Sequence, residues 1–273
     1  MSTIDWVFFH TAVALFAAAT VLGIVGARSG RRGPVAATRA ALLGAVIALG
    51  FMLARHGMES GAFPVANRFD ALVFSCATLA LLALTLDLVR GLPILSVGAA
   101  PFCFMDALVA ATLGMPTAGA TAPASAWVGL HVVATLISYG LFALAFIAAL
   151  LYLVEQRQLK SGTSTSLLGL MPSLETFYRL LLGSLGGGVA LLTVGLVVGY
   201  LFARRQGLPE GWRTDPKVIL TTVTWVAYLL VYALSFTRAL KGRRGALASM
   251  GCFFFVMTTF WATAFWTGFH KYV

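Results

Sequence analysis

Charge is scarce in this sequence: Asp, Glu, Lys and Arg together make up 10% of its 273 residues, against about 25% in soluble globular chains. Carboxylates are the scarcer sign, nine against nineteen Lys and Arg, leaving a formal net charge of +10. Cysteine is nearly absent. Cys76, Cys103 and Cys252 all fall in apolar stretches with no CxxC, CxxCH or metal spacing. That excludes a thiol oxidoreductase and leaves buried structural thiols. There is no Walker loop, no Ser/His/Asp order and no metalloprotease spacing, so no covalent step is indicated and no catalytic residue is assigned: the expected protein is not an enzyme.

What the chain has instead is apolar length. It is 60% hydrophobic with a mean hydropathy of +0.92. Runs of the ~20 residues that cross a ~30 Å hydrocarbon core occur at 6–26, 38–54, 70–88, 93–113, 126–154, 176–202, 218–238 and 245–268. The fourth is the weakest, because Pro101 interrupts it. A segment in lipid must satisfy its own backbone groups, so the expected fold is all-α: a polytopic integral membrane bundle of about eight transmembrane helices. No stretch is left over for a soluble domain, so 1–273 is expected to form a single transmembrane domain. The first run lacks the Lys/Arg patch of a secretory signal and is longer than a typical signal core, so it is expected to stay as a helix.

Lys and Arg in short loops favour the cytoplasmic side. Loops 27–40, 87–92, 155–175 and 238–244 hold eleven of them, whereas the opposite face holds seven: Arg55, Arg68, Arg204, Arg205, Arg213, Lys217 and Lys271. The expected location is therefore the bacterial inner (cytoplasmic) membrane, multi-pass, with both termini non-cytoplasmic. Much of the outer surplus sits in one loop, 204–217, around GWRTDPK, which points to a positive charge kept for a reason other than topology. The basic balance suggests anionic membrane lipid and an anionic ligand as partners, and no nucleic acid.

With this topology His10, His56, His131 and His270 all fall near the outer face. Histidine tolerates an interfacial position, and for His10 and His56 that reading suffices. His131 and His270 lie on helices that bracket the basic loop. Two neutral imidazoles facing one another can hold haem iron or another transition metal. Trp127, Trp212 and Trp266 offer aromatic walls and Arg204, Arg205, Arg213 and Lys271 offer cations. On residue types alone haem is one option among several.

In order from about residue 50, the chain resembles the cytochrome c assembly proteins of the CcsA, CcmC and HemX-like kind, polytopic membrane proteins that handle haem on the outer face. SGAFPVANRFDALVF at 60–74 is similar to the family's SGHFPLSNLYESLMF segment. LHVVATLISYGLFALAFIAALLYLV at 130–154 is similar to the helix that opens with the first external haem ligand, which falls on His131. MPSLETFYRLLLGSLGGGVALLTVGLVVGYLF at 171–202 and DPKVILTTVTWVAYLLVYALSFTRALKGRRGALASMG at 215–251 resemble the helices entering and leaving the tryptophan-rich loop. GFHKY at 268–272 resembles the segment bearing the second ligand, which falls on His270. GWRTDPK stands where the family keeps its WGxxWxWD signature.

The resemblance implies haem b as cofactor and other cytochrome c assembly proteins as partners. It makes His131 and His270 the iron ligands. Trp212 and Trp266 would pack on the porphyrin, Asp215 belongs to the signature, and Arg204, Arg205, Arg213 and Lys271 would meet the propionates. Two departures qualify it. Thr214 and Leu208 stand where the signature has its other tryptophans, and each lost indole removes a flat surface for the porphyrin. Ala62 replaces the membrane histidine of SGHFP, and 218–238 contains none. The reduced pattern is closest to the HemX-like branch. The expected function is haem binding and handling on the outer face in cytochrome c biogenesis. The alternative is a haem-free scaffold or regulatory subunit of an assembly complex, or a HemX-like effector of haem synthesis.

Other stretches read as structure. Gly183, Gly187, Gly195 and Gly199 form a stripe that lets helices approach closely. FFFVMTTFWATAFW at 253–266 is a packing face of which only Trp266 nears the site. Asp70 is expected to serve the start of its helix or to pair with Arg68 or Arg55.

Overall fold

The computed structural model describes residues 3–61, 63–65, 67–113, 126–161, 171–206 and 214–265, with the side chains of Ser60 and of residues beyond Thr258 left out. Its elements are eight helices: α1 (Thr3–Ser29), α2 (Arg32–Ser60), α3 (Arg68–Arg90), α4 (Pro93–Leu113), α5 (Ala126–Ser161), α6 (Leu174–Arg205), α7 (Pro216–Leu234) and α8 (Arg243–Phe265). Seven of them, α1 to α7, are long and apolar enough to cross a membrane, and the described residues contain no strand. The chain is a polytopic helical membrane bundle.

Most helices outrun the apolar runs that predict them. The 29 residues of α2 amount to ~44 Å at ~1.5 Å per residue, more than the hydrocarbon needs, so Arg32 and His56 ride on helical turns at headgroup level. α4 continues through Pro101. In lipid no water waits to satisfy a broken backbone, so keeping the remaining helical bonds is the cheaper arrangement. Side chains cap several starts: Asn67 Oδ1 accepts the Asp70 N–H at 3.0 Å, Ser173 Oγ the Thr176 N–H at 3.3 Å and Asp215 Oδ1 the Lys217 N–H at 2.8 Å. Gly91, at φ 64°, ends α3 in the left-handed region, where its N–H donates back to Asp87 O.

Successive helices pair as hairpins, α1 with α2, α3 with α4, α5 with α6 and α7 with α8. α1 also packs on α4, and α5 takes the centre between α3, α6 and α8. Phe142, Leu144 and Ile147 of α5 are buried in the core. α7 by contrast exposes Ile219, Val223, Val226 and Leu230, an apolar face suited to lipid.

Several charges inside the α1–α4 part of the bundle are paired. At one end Arg39 grips Asp87 with two bonds of 2.8 and 2.6 Å, and Ser96 Oγ donates to the same carboxylate at 2.5 Å, tying α2, α3 and α4. At the other end Arg55 meets Asp5 at 3.4 Å and Glu59 at 2.7 Å. Asp70 holds more than its helix start: Asn67 Nδ2 donates to it at 2.7 Å and His56 Nδ1 lies 3.3 Å away. From sequence its ion partner is expected to be Arg68 or Arg55; α2 continues past its apolar run and brings His56 there as well. Cys76 and Cys103 bond across α3 and α4, each Sγ facing the other's carbonyl at 3.6 and 3.7 Å. These are structural thiols, and Cys252 is likewise unpaired with any sulfur.

Candidate functional site

The site is built where α5 begins, α6 ends and α7 begins. α5 and α6 run antiparallel, and three glycines of α6 meet three side chains of α5. A Cβ on Gly188 would lie 2.5 Å from Phe142, one on Gly195 2.7 Å from Thr135 Oγ1, and one on Gly199 2.7 Å from His131 Nδ1. The steps match, seven and then four residues forward on α6 against seven and four back on α5. Gly199 therefore makes the notch in which the His131 imidazole lies.

Inside the notch His131 Nδ1 is 2.7 Å from the Gly195 carbonyl oxygen. A carbonyl only accepts, so Nδ1 carries the proton and Nε2 keeps its lone pair. Among the described residues Nε2 has no hydrogen-bond partner. This is the arrangement of a metal-ligating histidine, one nitrogen oriented by a backbone oxygen and the other offered outward. One turn deeper Thr135 Oγ1 donates to the His131 carbonyl at 2.8 Å, steadying the helix that carries the ring.

Aromatic and basic groups collect around this end. Phe63, from the segment before α3, packs on Gly129 at 3.4 Å from where a Cβ would stand. Trp127, one turn before His131, lies under the Arg205 guanidinium at 5.1 Å, and Arg204 lies over Tyr200 at 5.9 Å. Asp215 is buried as the cap of α7, with Pro216 at its first position. Lys217 follows, within electrostatic reach of both the His131 ring and Arg68. The structure thus brings together His131, Arg205, Trp127 and the start of α7.

Of the residues expected from sequence, His131, Arg204, Arg205 and Asp215 are described. Trp212, Arg213, Trp266, His270, Lys271, and also Leu208 and Ala62, lie outside the described residues. His10 stands apart, its ring stacked on Trp6 at 3.7 Å and bonded to the Trp6 carbonyl at 2.9 Å. Sequence reasoning left out the roles of Gly195, Gly199 and Lys217. The glycine spacing carried part of that signal, and Lys217 was visible only as part of a charged loop.

A family model described as "Cytochrome C assembly protein" matches residues 65–270, which takes in α5, α6 and the start of α7. The chain belongs to the cytochrome c assembly protein family. Among its relatives are proteins named "Cytochrome c biogenesis protein CcsA". The one from Guillardia theta is 27% identical over 228 residues, 76% of this chain and 75% of the relative. The one from Thermosynechococcus vestitus is 25% identical over 242 residues, covering 73% and 75%. An "Uncharacterized 28.8 kDa protein" of Azospirillum brasilense is 30% identical over 125 residues, 45% of this chain and 44% of its own length. The segments of this family member that meet at His131, around Phe63, α5, α6 and α7, all fall at or inside the matched region but for the first two residues of the Phe63 segment.

Proposed function

We propose that this chain acts in cytochrome c biogenesis by binding haem on the non-cytoplasmic face of the membrane, with His131 and His270 as the residues that would hold its iron. The observation that carries the reading is the His131 notch, where a backbone carbonyl fixes the ring and a missing Cβ makes room for it. A merely interfacial histidine needs neither.

The donor set fits the group. A neutral imidazole presenting Nε2 suits ferrous or ferric haem iron, and bound haem would supply redox-active iron held by two nitrogens. The chain's own residues orient and enclose. Gly195 holds the ring's tautomer, and Trp212 and Trp266 give flat apolar surface. Arg204, Arg205, Arg213, Lys271 and Lys217 supply cations for two propionates, with Asp215 fixing the start of α7. Among the described residues of this set none is a nucleophile set beside a base, and the role proposed is binding and positioning. The shortage of signature tryptophans argues for a loosely held haem, suited to delivery.

Absorption spectra of the detergent-purified protein test this. The reading predicts a Soret band with the sharp visible bands of six-coordinate low-spin haem. Absence of a Soret band after expression with ample haem would favour a haem-free scaffold of an assembly complex.

A further inference from the structure

The other end of the α5–α6 hairpin holds a cavity that haem handling at His131 does not use. It measures about 160 Å³ and is lined by Tyr152, Leu174, Glu175, Tyr178, Lys241 and Gly242. Tyr152 is twenty-one residues beyond His131 on one continuous helix, ~31 Å at ~1.5 Å per residue. That equals the ~30 Å hydrocarbon thickness, so this cavity opens at headgroup level on the opposite face. It is too small for a porphyrin.

Its donors are unused. Tyr152 is 9% exposed, and its hydroxyl has no hydrogen-bond partner among the described residues. The neighbouring ring, Tyr178, with its centroid 6.0 Å away, spends its hydroxyl on the Ser235 carbonyl at 2.9 Å. Facing the cavity, this hydroxyl keeps its O–H free to donate to a ligand oxygen placed there. Gly242 keeps that space open: its φ is 68°, and a Cβ there would stand 3.3 Å from Tyr152 Oη. Lys241 lines the cavity without an ion pair among the described residues.

The lining also fits one charge sign. Glu175, its one acid, is held by Arg179 Nε at 2.8 Å. Glu155, buried one turn further along α5, does not line it. Two helices start at the cavity, α6 at Leu174 and α8 just after Gly242. Helix starts direct a positive dipole end outward together with the N–H groups their caps leave over; in α6 Ser173 takes that of Thr176. The turn between α7 and α8 adds Arg238 and Lys241, and the first turn of α8 adds Arg243 and Arg244, with no acid in 236–250.

We propose that this cavity is a binding site for a phosphate ester, with Tyr152 Oη and Lys241 Nζ as its side-chain donors. A tetrahedral phosphate accepts from several directions at once, which suits a hydroxyl, an ammonium and two helix starts. The ester's source is either an anionic phospholipid headgroup or a soluble phosphate ester, for which inorganic phosphate serves as the probe.

Native mass spectrometry of the full chain, offered phosphatidylglycerol or phosphatidylcholine, separates the sources, with thermal unfolding in inorganic phosphate as a second arm. For a lipid source, phosphatidylglycerol is retained over phosphatidylcholine, and Tyr152→Phe and Lys241→Gln each lower its occupancy about tenfold, the scale of one lost hydrogen bond to a charged group. For a soluble source, inorganic phosphate raises the unfolding temperature of the wild type and not of either variant, while the two lipids bind alike. Tyr152→Phe keeps the ring contact with Tyr178, and size-exclusion profiles check that both variants stay folded. Unchanged binding in both variants overturns the site. So does an equal loss in Arg31→Gln, a basic residue on another turn of the same face, because binding would then follow surface charge alone.

Discussion

The α1–α4 half and the α5–α8 half of the bundle are held together by different means. In the first, buried charges close on each other: Asp87 is fully buried between Arg39 and Ser96, and Asp5 and Asp70 are gathered at the opposite end by Arg55, Asn67 and His56. In the second, the contacts are glycine notches and aromatic faces, such as Phe142 stacked on Tyr228 at 3.7 Å. Polar groups there stay open, His131 Nε2 at one end and Tyr152 Oη at the other. A network whose charges pair with one another specifies one arrangement and offers little to a ligand. Groups left with bonding capacity are where ligands come in, so the first half reads as scaffold and the second as the working part.

The comparison breaks most visibly at Asp87. Asp87→Ala leaves Arg39 without its carboxylate and Ser96 without its acceptor. The expected loss is about 3 kcal/mol, at the low end for breaking a buried pair because Arg39 is one-third exposed. Thermal unfolding in detergent measures it. The surviving folded protein should bind haem with an unaltered spectrum. A changed spectrum at equal haem load would mean that the first half shapes the site.

A smaller effect is expected at Gly199. Gly199→Ala places a methyl 2.7 Å from His131 Nδ1, which must move the ring off the Gly195 carbonyl. Overpacking of this kind costs about 1–3 kcal/mol, and here the spectrum of bound haem should shift along with the stability. A loss of stability with no spectral change would make the notch a packing feature only. The smallest effect is at Trp225→Phe, which removes the 2.8 Å bond from Trp225 Nε1 to Thr193 Oγ1 between α6 and α7. About 1 kcal/mol of unfolding free energy should go, with haem binding intact.

The bundle itself was legible in the apolar runs, because lipid leaves a chain little choice but helix. The helix ends were less so. The turns carrying Arg32 and His56 are polar in sequence and helical in structure, since a run of hydropathy measures the hydrocarbon and not the headgroup layer. The glycine stripe was half legible. Rows spaced by four drift by about 40° per step around a helix of ~3.6 residues per turn, so Gly183 turns away and meets nothing within 4 Å. Gly188, Gly195 and Gly199 stay within about 40° of one line and face α5. Which residue lies opposite each depends on the register of the hairpin, and no property of α6 alone contains it. The empty acceptor space in front of Tyr152 was invisible for the same reason: it exists only once Gly242 and Leu174 are packed beside it.

The central claim is that His131, through Nε2, and His270 would hold the iron of one haem. Spectra of haem-loaded His131→Ala, His270→Ala and the double variant test it most directly. Two ligands of one iron act as a unit, so each single change should convert the low-spin six-coordinate spectrum to the same five-coordinate or weakly ligated form. The double change should then cost little beyond either one, and His10→Ala should leave the wild-type spectrum in place. A wild-type spectrum retained by His131→Ala, or lost in His10→Ala, would contradict the assignment.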